Sequence, residues 1–281
     1  MNTKQNNKAN TLVLGGKGKT GSRVVTKLQQ LEWPVHIGSR SGDRPFDWED
    51  QATWKKAIKD MEIIYVSYFP DLAVPGAVDA IRAFIKIAIE SGVKKLVLLS
   101  GRGEAEAQEC ERLVMASGIE YTIVRASWFF QNFSEGYMLE PILAGHVAFP
   151  VGNILEPFID AEDIAEVAVA AITQAGHSNK LYEVTGPRLL TFREAIEIIS
   201  QGTGKEIVYE QIPMEDYWAM LKEYAVPADF IWLITYLFTE VLDGRNASIT
   251  HGVEEALGRP ATDFEDYVRR TMATGVWGDK A

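Results

Sequence analysis

Seven residues constrain this chain more than any others: Gly15-Gly16-Lys17-Gly18-Lys19-Thr20-Gly21, directly after the apolar run Thr11-Leu12-Val13-Leu14 and directly before a helical pattern. Gly15, Gly18 and Gly21 fall three apart. At that spacing a chain can leave a buried strand, turn tightly and let its backbone approach a pyrophosphate before a helix begins. The helix N-terminus then offers unpaired N–H groups and a partial positive charge. Glycines also close ordinary turns, but here strand, turn and helix occur in the order that dinucleotide binding requires.

The pattern continues as alternating strands and helices. Val24, Val25 and Leu28 share one face of a helix predicted over 20–31, and 33–37 reads as the second strand. A short helix over 53–59 leads to a strand over 62–67. Val78, Ile81, Ile85 and Ile89 then mark a helix over 73–91 that ends at Gly92. A strand over 95–100, a helix over 104–117 stopped by Gly118, and a strand over 121–125 follow. Beyond Ala126 the alternation loosens into Trp128-Phe129-Phe130-Gln131-Asn132-Phe133 and a glycine- and proline-rich stretch to Pro157. It resumes with a helix over 163–175 and a strand over 181–185. Thr191, with Glu194 three residues on, reads as the N-cap that opens a mainly helical C-terminal part.

These readings imply an α/β chain: a Rossmann-type doubly wound parallel sheet with a smaller, mainly helical C-terminal cap. The expected organisation is a flexible polar leader over 1–10, an NAD(P)-binding domain over 11–186 with a substrate-side insertion at about 127–158, and a cap or substrate lobe over 187–281.

With 281 residues, 47% of them hydrophobic, the chain can bury a sizeable core. Its net charge of −11 opposes the phosphate backbone of nucleic acid. Lys17, Lys19, Arg23, Lys27, Arg40 and Arg44 nevertheless crowd the segment around the glycine turn, a local positive field suited to a small polyanion. No run approaches the length of a membrane span, and the leader lacks the apolar core of a signal peptide. The single cysteine, Cys110, excludes an internal disulfide and fits a reducing, cytoplasmic setting. His36, His146, His177 and His251 are scattered without ligand spacing, so no metal is expected. The expected partner is a small-molecule substrate, with neither nucleic acid nor membrane involved.

At the end of the second strand an NAD enzyme usually carries an acid for the adenosine ribose, whereas a basic residue accommodates a 2′-phosphate. Here the strand ends Gly38-Ser39-Arg40-Ser41, and the nearest acid, Asp43, lies past another glycine. Arg40 can fork onto a phosphate and Ser39 and Ser41 supply short donors, which favours NADP. The candidate cofactor residues are Gly15, Gly18, Lys19, Thr20, Gly21, Ser39, Arg40, Ser41, Ser67, Tyr68, Ser100 and Gly101.

Over most of its length the chain resembles the NmrA-like branch of atypical short-chain dehydrogenases. The residues that carry the likeness are the three spaced glycines, Val97-Leu98-Leu99-Ser100, Glu111, the run from Ser117 to Arg125, Asn132-Phe133, and Pro157-Phe158-Ile159-Asp160 with Asp163-Ile164-Ala165. Phe46-Asp47-Trp48 and Ser100-Gly101-Arg102-Gly103-Glu104 are similar to the subgroup of festuclavine and agroclavine dehydrogenases, fungal enzymes that reduce a cyclic iminium with NADPH. The resemblance implies a Rossmann-type fold, NADP as cofactor and hydride transfer as the reaction.

Standard short-chain dehydrogenases use Tyr-x-x-x-Lys, in which lysine lowers the tyrosine pKa so that it can exchange a proton with substrate. None of the ten tyrosines here has lysine four residues later. A cationic electrophile such as an iminium becomes neutral on accepting hydride and needs no simultaneous proton; a quinone or enone is a neighbouring possibility. The alternative is a non-catalytic NADP(H)-binding sensor of the NmrA type. Tyr68 and Ser100, each at a strand's carboxyl end, are the candidate catalytic hydroxyls. Arg102, Trp128, Phe129, Asn132 and Phe133 are the candidates for the substrate pocket, where aromatic faces would suit a flat, apolar molecule or a cation.

Overall fold

The computed structural model describes residues 8–278, so most of the leader expected over 1–10 lies outside the described residues. In chain order the first elements are β1 (Thr11–Leu14), α1 (Lys19–Gln30), β2 (Val35–Ser39), β3 (Arg44–Pro45), α2 (Trp54–Ala57), β4 (Ile63–Val66) and α3 (Ala77–Glu90). Next come β5 (Lys95–Gly101), α4 (Ala105–Met115), β6 (Glu120–Ala126), α5 (Asn132–Glu135), α6 (Leu139–Leu143), β7 (His146–Phe149) and α7 (Ala161–Thr173). The last are β8 (Lys180–Val184), α8 (Phe192–Thr203), β9 (Val208–Gln211), α9 (Met214–Glu223), α10 (Ala228–Tyr236), α11 (Gly252–Leu257) and α12 (Phe264–Met272).

These elements build two compact units. One comprises residues up to Arg125 with Glu162–Glu183 and Glu255–Gly258; the other comprises Ala126–Ala161, Val184–Glu254 and residues from Arg259 onward. The seven-stranded sheet runs β3-β2-β1-β4-β5-β6-β8, with parallel pairing of β1 to β2 and β4, of β2 to β3, and of β4 to β5. Its order reverses between β1 and β4. In an open α/β sheet the crevice outside the carboxyl ends of such neighbouring strands is where ligands bind.

The first unit's core follows from the sequence pattern. β1 and β4 are buried along their whole lengths, as strands covered on both faces must be, and α1 turns Val24, Val25 and Leu28 inward. Leu12, Leu14, Ile64, Leu96 and Leu98 pack with Trp54 and Phe84. Fully burying each aliphatic side chain contributes about 1.5–3 kcal/mol. Gly92, just past α3, takes φ +75°, the left-handed conformation that ends a helix without a Cβ clash.

The second unit is mainly helical, around Phe130, Phe133, Phe149, Phe192, Phe264 and Trp277. α8 opens on the expected capping box: Thr191 Oγ1 accepts from Glu194 N–H at 3.1 Å, and Glu194 Oε2 accepts from Thr191 N–H at 2.7 Å. This unit also holds a small parallel sheet, β7 against β9, in register from His146↔Val208 to Phe149↔Gln211. The sequence pattern did not reveal it, because four-residue strands in a glycine- and proline-rich setting carry too few periods to read.

Candidate active site

The glycine turn is built by its own close contacts. Gly15 takes φ +68°, and a Cβ there would lie 3.3 Å from Ser67 Cβ and Oγ. A Cβ on Gly21 would lie 2.2 Å from the Gly15 carbonyl oxygen, so only glycine lets α1 pack this closely on the turn. Gly18 differs. It is exposed, caps α1 with an ordinary extended backbone (φ −81°, ψ 175°), and would place a Cβ near nothing but Gly15 O at 3.3 Å. The first turn of α1 carries no acid of its own, so the helix N-terminus keeps its partial positive charge toward the turn. Thr20 is buried, and its Oγ1 accepts from the Tyr65 hydroxyl at 3.0 Å, an anchor beneath the turn.

Beside this turn lies the carboxyl end of β2. Lys17 Nζ donates to Ser41 Oγ at 2.8 Å and to Ser41 O at 3.2 Å, tying the turn to the following loop. Arg40 and Ser41 are exposed. Ser39 Oγ is buried and has no hydrogen-bond partner. Asp43, the nearest acid in the sequence, is committed to its own loop: it accepts from Ile37 N–H at 2.7 Å, and its other oxygen lies 2.8 Å from His36 Nδ1. Of the six basic residues clustered in the sequence, Arg23 and Lys27 instead pair with Glu162 on α7, and Arg44 donates to Lys59 O. Lys17 was counted only as part of the charge cluster; its place between turn and loop depends on folding.

Beyond β4, Trp48 fixes the next residues: its Nε1 donates to Ser67 O at 3.1 Å and its ring lies 4.8 Å from that of Tyr68. The Phe46-Asp47-Trp48 motif is thus part of an aromatic cluster, with Phe46 stacked on Trp54 at 5.9 Å. Burial, then Cys110 and Glu49, raise the Tyr68 pKa, the opposite of the lowering that a catalytic tyrosine receives from lysine. At the end of β5, Ser100 is 4% exposed and donates through Oγ to Glu111 Oε1 at 2.7 Å. Glu111 also accepts from Arg125, whose Nη1 reaches Glu183 Oε2 at 3.1 Å, and Glu183 Oε1 accepts from Arg102 Nε at 2.6 Å. Ser100 and Arg102 are therefore joined through a chain of two carboxylates and Arg125. Arg102, expected in the substrate pocket, has its guanidinium engaged here. The residues that complete the chain, Glu111, Arg125 and Glu183, are far apart in sequence; only the first two belonged to the family likeness, and nothing marked Glu183.

The aromatic candidates lie in the second unit. Trp128 is half-buried, stacked on Phe238 at 5.5 Å and edge-on to Phe192. Phe129 is also half-buried and bridges to Ile159; Asn132 opens α5 with its N–H on Phe129 O at 3.1 Å. Phe133 is completely buried against Phe158 and Phe264, within that unit's core. Asp160, one of the residues of the family likeness, accepts from Gln131 Nε2 at 2.8 Å and from Arg270, while Gln131 Oε1 takes the Ala161 N–H. Burial, then Glu109 and Glu111, push the Cys110 thiol up to about 12, leaving it unreactive as a nucleophile. Among the described residues no cluster of three His, Cys, Asp or Glu is placed to hold a metal, and no helix is long and apolar enough to cross a membrane.

The residues around the turn fit a dinucleotide. The open face at Gly18, the acid-free first turn of α1, the orphaned Ser39 hydroxyl and the exposed Arg40 are all features that an anionic ligand would satisfy. The strand order and the turn after β1 define a Rossmann-type α/β protein. The chain belongs to the NmrA-like family, which matches residues 45–268.

Among its relatives, "Prestalk A differentiation protein A" of Dictyostelium discoideum is 28% identical over 95% of this chain and 93% of that protein. Agroclavine dehydrogenase of Claviceps fusiformis is 29% identical over 92% of this chain and 95% of its own length, in line with the subgroup likeness read from the sequence. Among solved structures, the NADPH-dependent quinone oxidoreductase of Escherichia coli complexed with NADPH shares the fold, with a TM-score of 0.76 at 20% identity over 92% of this chain and 99% of that one.

Proposed function

We propose that this protein is an NADPH-dependent oxidoreductase that transfers hydride to a flat, apolar electrophile, a cyclic iminium, a quinone or an enone, without a Tyr-x-x-x-Lys relay. The observation that carries this reading is the pairing of an anion-ready turn and Arg40 loop with a carboxyl edge whose hydroxyls are poor acids: Ser100 donates to Glu111, and the Tyr68 pKa is raised. NADPH supplies the hydride when bound. Gly15, Gly18, Lys19, Thr20 and Gly21 form the turn that seats the pyrophosphate; Arg40, Ser39 and Ser41 take the 2′-phosphate, assisted by Lys17. Ser67, Tyr68, Ser100 and Gly101 border the nicotinamide end. Trp128, Phe129 and Asn132 shape substrate preference, and the lobe from 187 onward is the substrate lobe. The dehydrogenase name of the agroclavine relative supports the reaction type. The single, buried cysteine supports a cytoplasmic setting.

The test is NADPH oxidation against cyclic imines, quinones and enones. NADPH binding with no turnover of any class would identify a sensor instead. Two further outcomes are expected. Arg40→Ala narrows the preference for NADPH over NADH by about 1.5–3 kcal/mol, the worth of hydrogen bonds to a charged group, measured by fluorescence titration with both cofactors. Equal affinity of the unaltered protein for the two would falsify the NADP assignment. Tyr68→Phe and Ser100→Ala retain turnover; a loss above about a thousandfold in either, with both ligands still bound, would show an indispensable hydroxyl and sink the relay-free reading.

A further inference from the structure

The loops after β4 and β5 bring together two carboxyl groups that the proposed function leaves unused. Asp71 accepts from Ala73 N–H at 2.9 Å and is hydrogen-bonded to the Glu104 carboxyl. Glu104 is 6% exposed. It stands at the N-cap of α4 yet makes no capping hydrogen bond; its carboxyl folds over Gly101, where a Cβ would meet its two oxygens at 2.1 and 2.2 Å. Its Oε2 is buried with no hydrogen-bond partner. Two carboxylates in mutual hydrogen-bonding contact cannot both ionise cheaply, so the pair shares a proton. Burial, then Asp71, with Glu106 and Glu111 of α4 adding to it, hold the Glu104 pKa well above the carboxyl range. Burial also raises the Asp71 pKa, against the hydrogen bonds with Ala73 N–H and Glu104, which lower it. Of the cations on these elements, Arg102 pairs with Glu183, and Arg125 with Glu111 and Glu183.

We propose that the Asp71–Glu104 pair is the proton source for electrophiles that carry no charge of their own. This rests on the oxidoreductase reading and divides its substrates into two kinds. When a quinone accepts hydride, a C–H bond of the dihydronicotinamide breaks, the quinone gains two electrons, and an oxyanion forms. The Glu104 O–H bond then breaks and its proton goes to that oxygen. Two carboxylates remain in contact, and their repulsion draws a replacement proton from solvent. A cationic electrophile is neutral once it has taken hydride and makes no demand on the pair.

The test is Glu104→Gln, which keeps the size and a donor toward Asp71 but carries no acidic proton. The ratio of the rate with a neutral quinone to the rate with a cationic triarylmethyl dye should fall by about 10²–10⁴-fold, the usual worth of a positioned acid. Two readouts need no cofactor. The infrared band of a protonated carboxyl at neutral pH should disappear in the variant. Because the folded state binds more protons than the unfolded state above the ordinary glutamate value of 4.5, stability should fall as pH rises above it, and Glu104→Gln should flatten that fall.

Should the glutamine variant not fold, Asp71→Asn serves: removing the neighbouring charge should move the alkaline limb of the quinone pH profile toward lower pH. An unchanged ratio or an unmoved limb overturns the inference, as does a protonated-carboxyl band that persists in Glu104→Gln. So does an unaltered protein that reduces only the cation, although the oxidoreductase reading then stands. An unaltered protein that reduces neither overturns that reading, and the donor role with it.

Discussion

Gly18→Val folds and does not bind NADPH. The fold tolerates the change because Gly18 is exposed, its backbone is one that valine adopts readily, and its Cβ would approach only Gly15 O at 3.3 Å. Binding does not tolerate it, because the branched side chain fills the space through which a phosphate would reach the N–H groups of the turn. Gly21→Ala makes the informative contrast. Its Cβ would lie 2.2 Å from the Gly15 carbonyl oxygen, a backbone atom that cannot swing away, so that variant loses the turn itself. Circular dichroism and thermal unfolding should therefore show a native Gly18→Val protein and a destabilised Gly21→Ala protein. NADPH titration should give no saturable signal with either. Unimpaired binding by a folded Gly18→Val protein would leave the turn as ordinary structure.

Glu111→Ala is expected to destabilise the protein by about 3–5 kcal/mol, the usual result of removing one partner from a buried ion pair. Glu111 is 2% exposed and accepts from Ser100 Oγ at 2.7 Å and Arg125 Nε at 2.9 Å, as well as from Arg125 Nη2. Alanine would leave Arg125 with Glu183 alone and the Ser100 hydroxyl buried without a partner. Against a total stability of about 5–15 kcal/mol this is a large fraction. Urea unfolding measures it directly. A loss within about 0.5 kcal/mol, the range of an ordinary surface substitution, would show that the network holds nothing together.

Much of this was legible in the sequence for reasons that differ by residue. The strand before Gly15 was readable as an uninterrupted apolar run ending at the glycine turn, and the helix that follows by Val24, Val25 and Leu28 on one face. Arg40 reads as the residue just past the second strand, and the structure has it there, exposed, directly after Ser39 at the end of β2. Phe133 was not: an aromatic run shows that rings are present but not which of them face inward, and Phe133 packs among Phe158, Phe192 and Phe264. Arg102 was placed at the right edge of the sheet, but its partner Glu183 lies on β8, and nothing local in the sequence links the two. Nothing in the sequence singles out Asp71, and Glu104 stands there only as the end of the Ser100–Glu104 likeness and the start of a helix. Their meeting depends on β4 and β5 lying side by side and on Gly101 lacking a Cβ.

The Lys17–Ser41 bridge joins two loops that follow different strands before any ligand arrives. A loop already fastened has less motional freedom to surrender on association, so its ordering does not have to be offset by contacts with the incoming anion. Cutting the tether with Lys17→Met should therefore appear as a larger unfavourable entropy of NADPH association in calorimetry, beyond the loss of one charge.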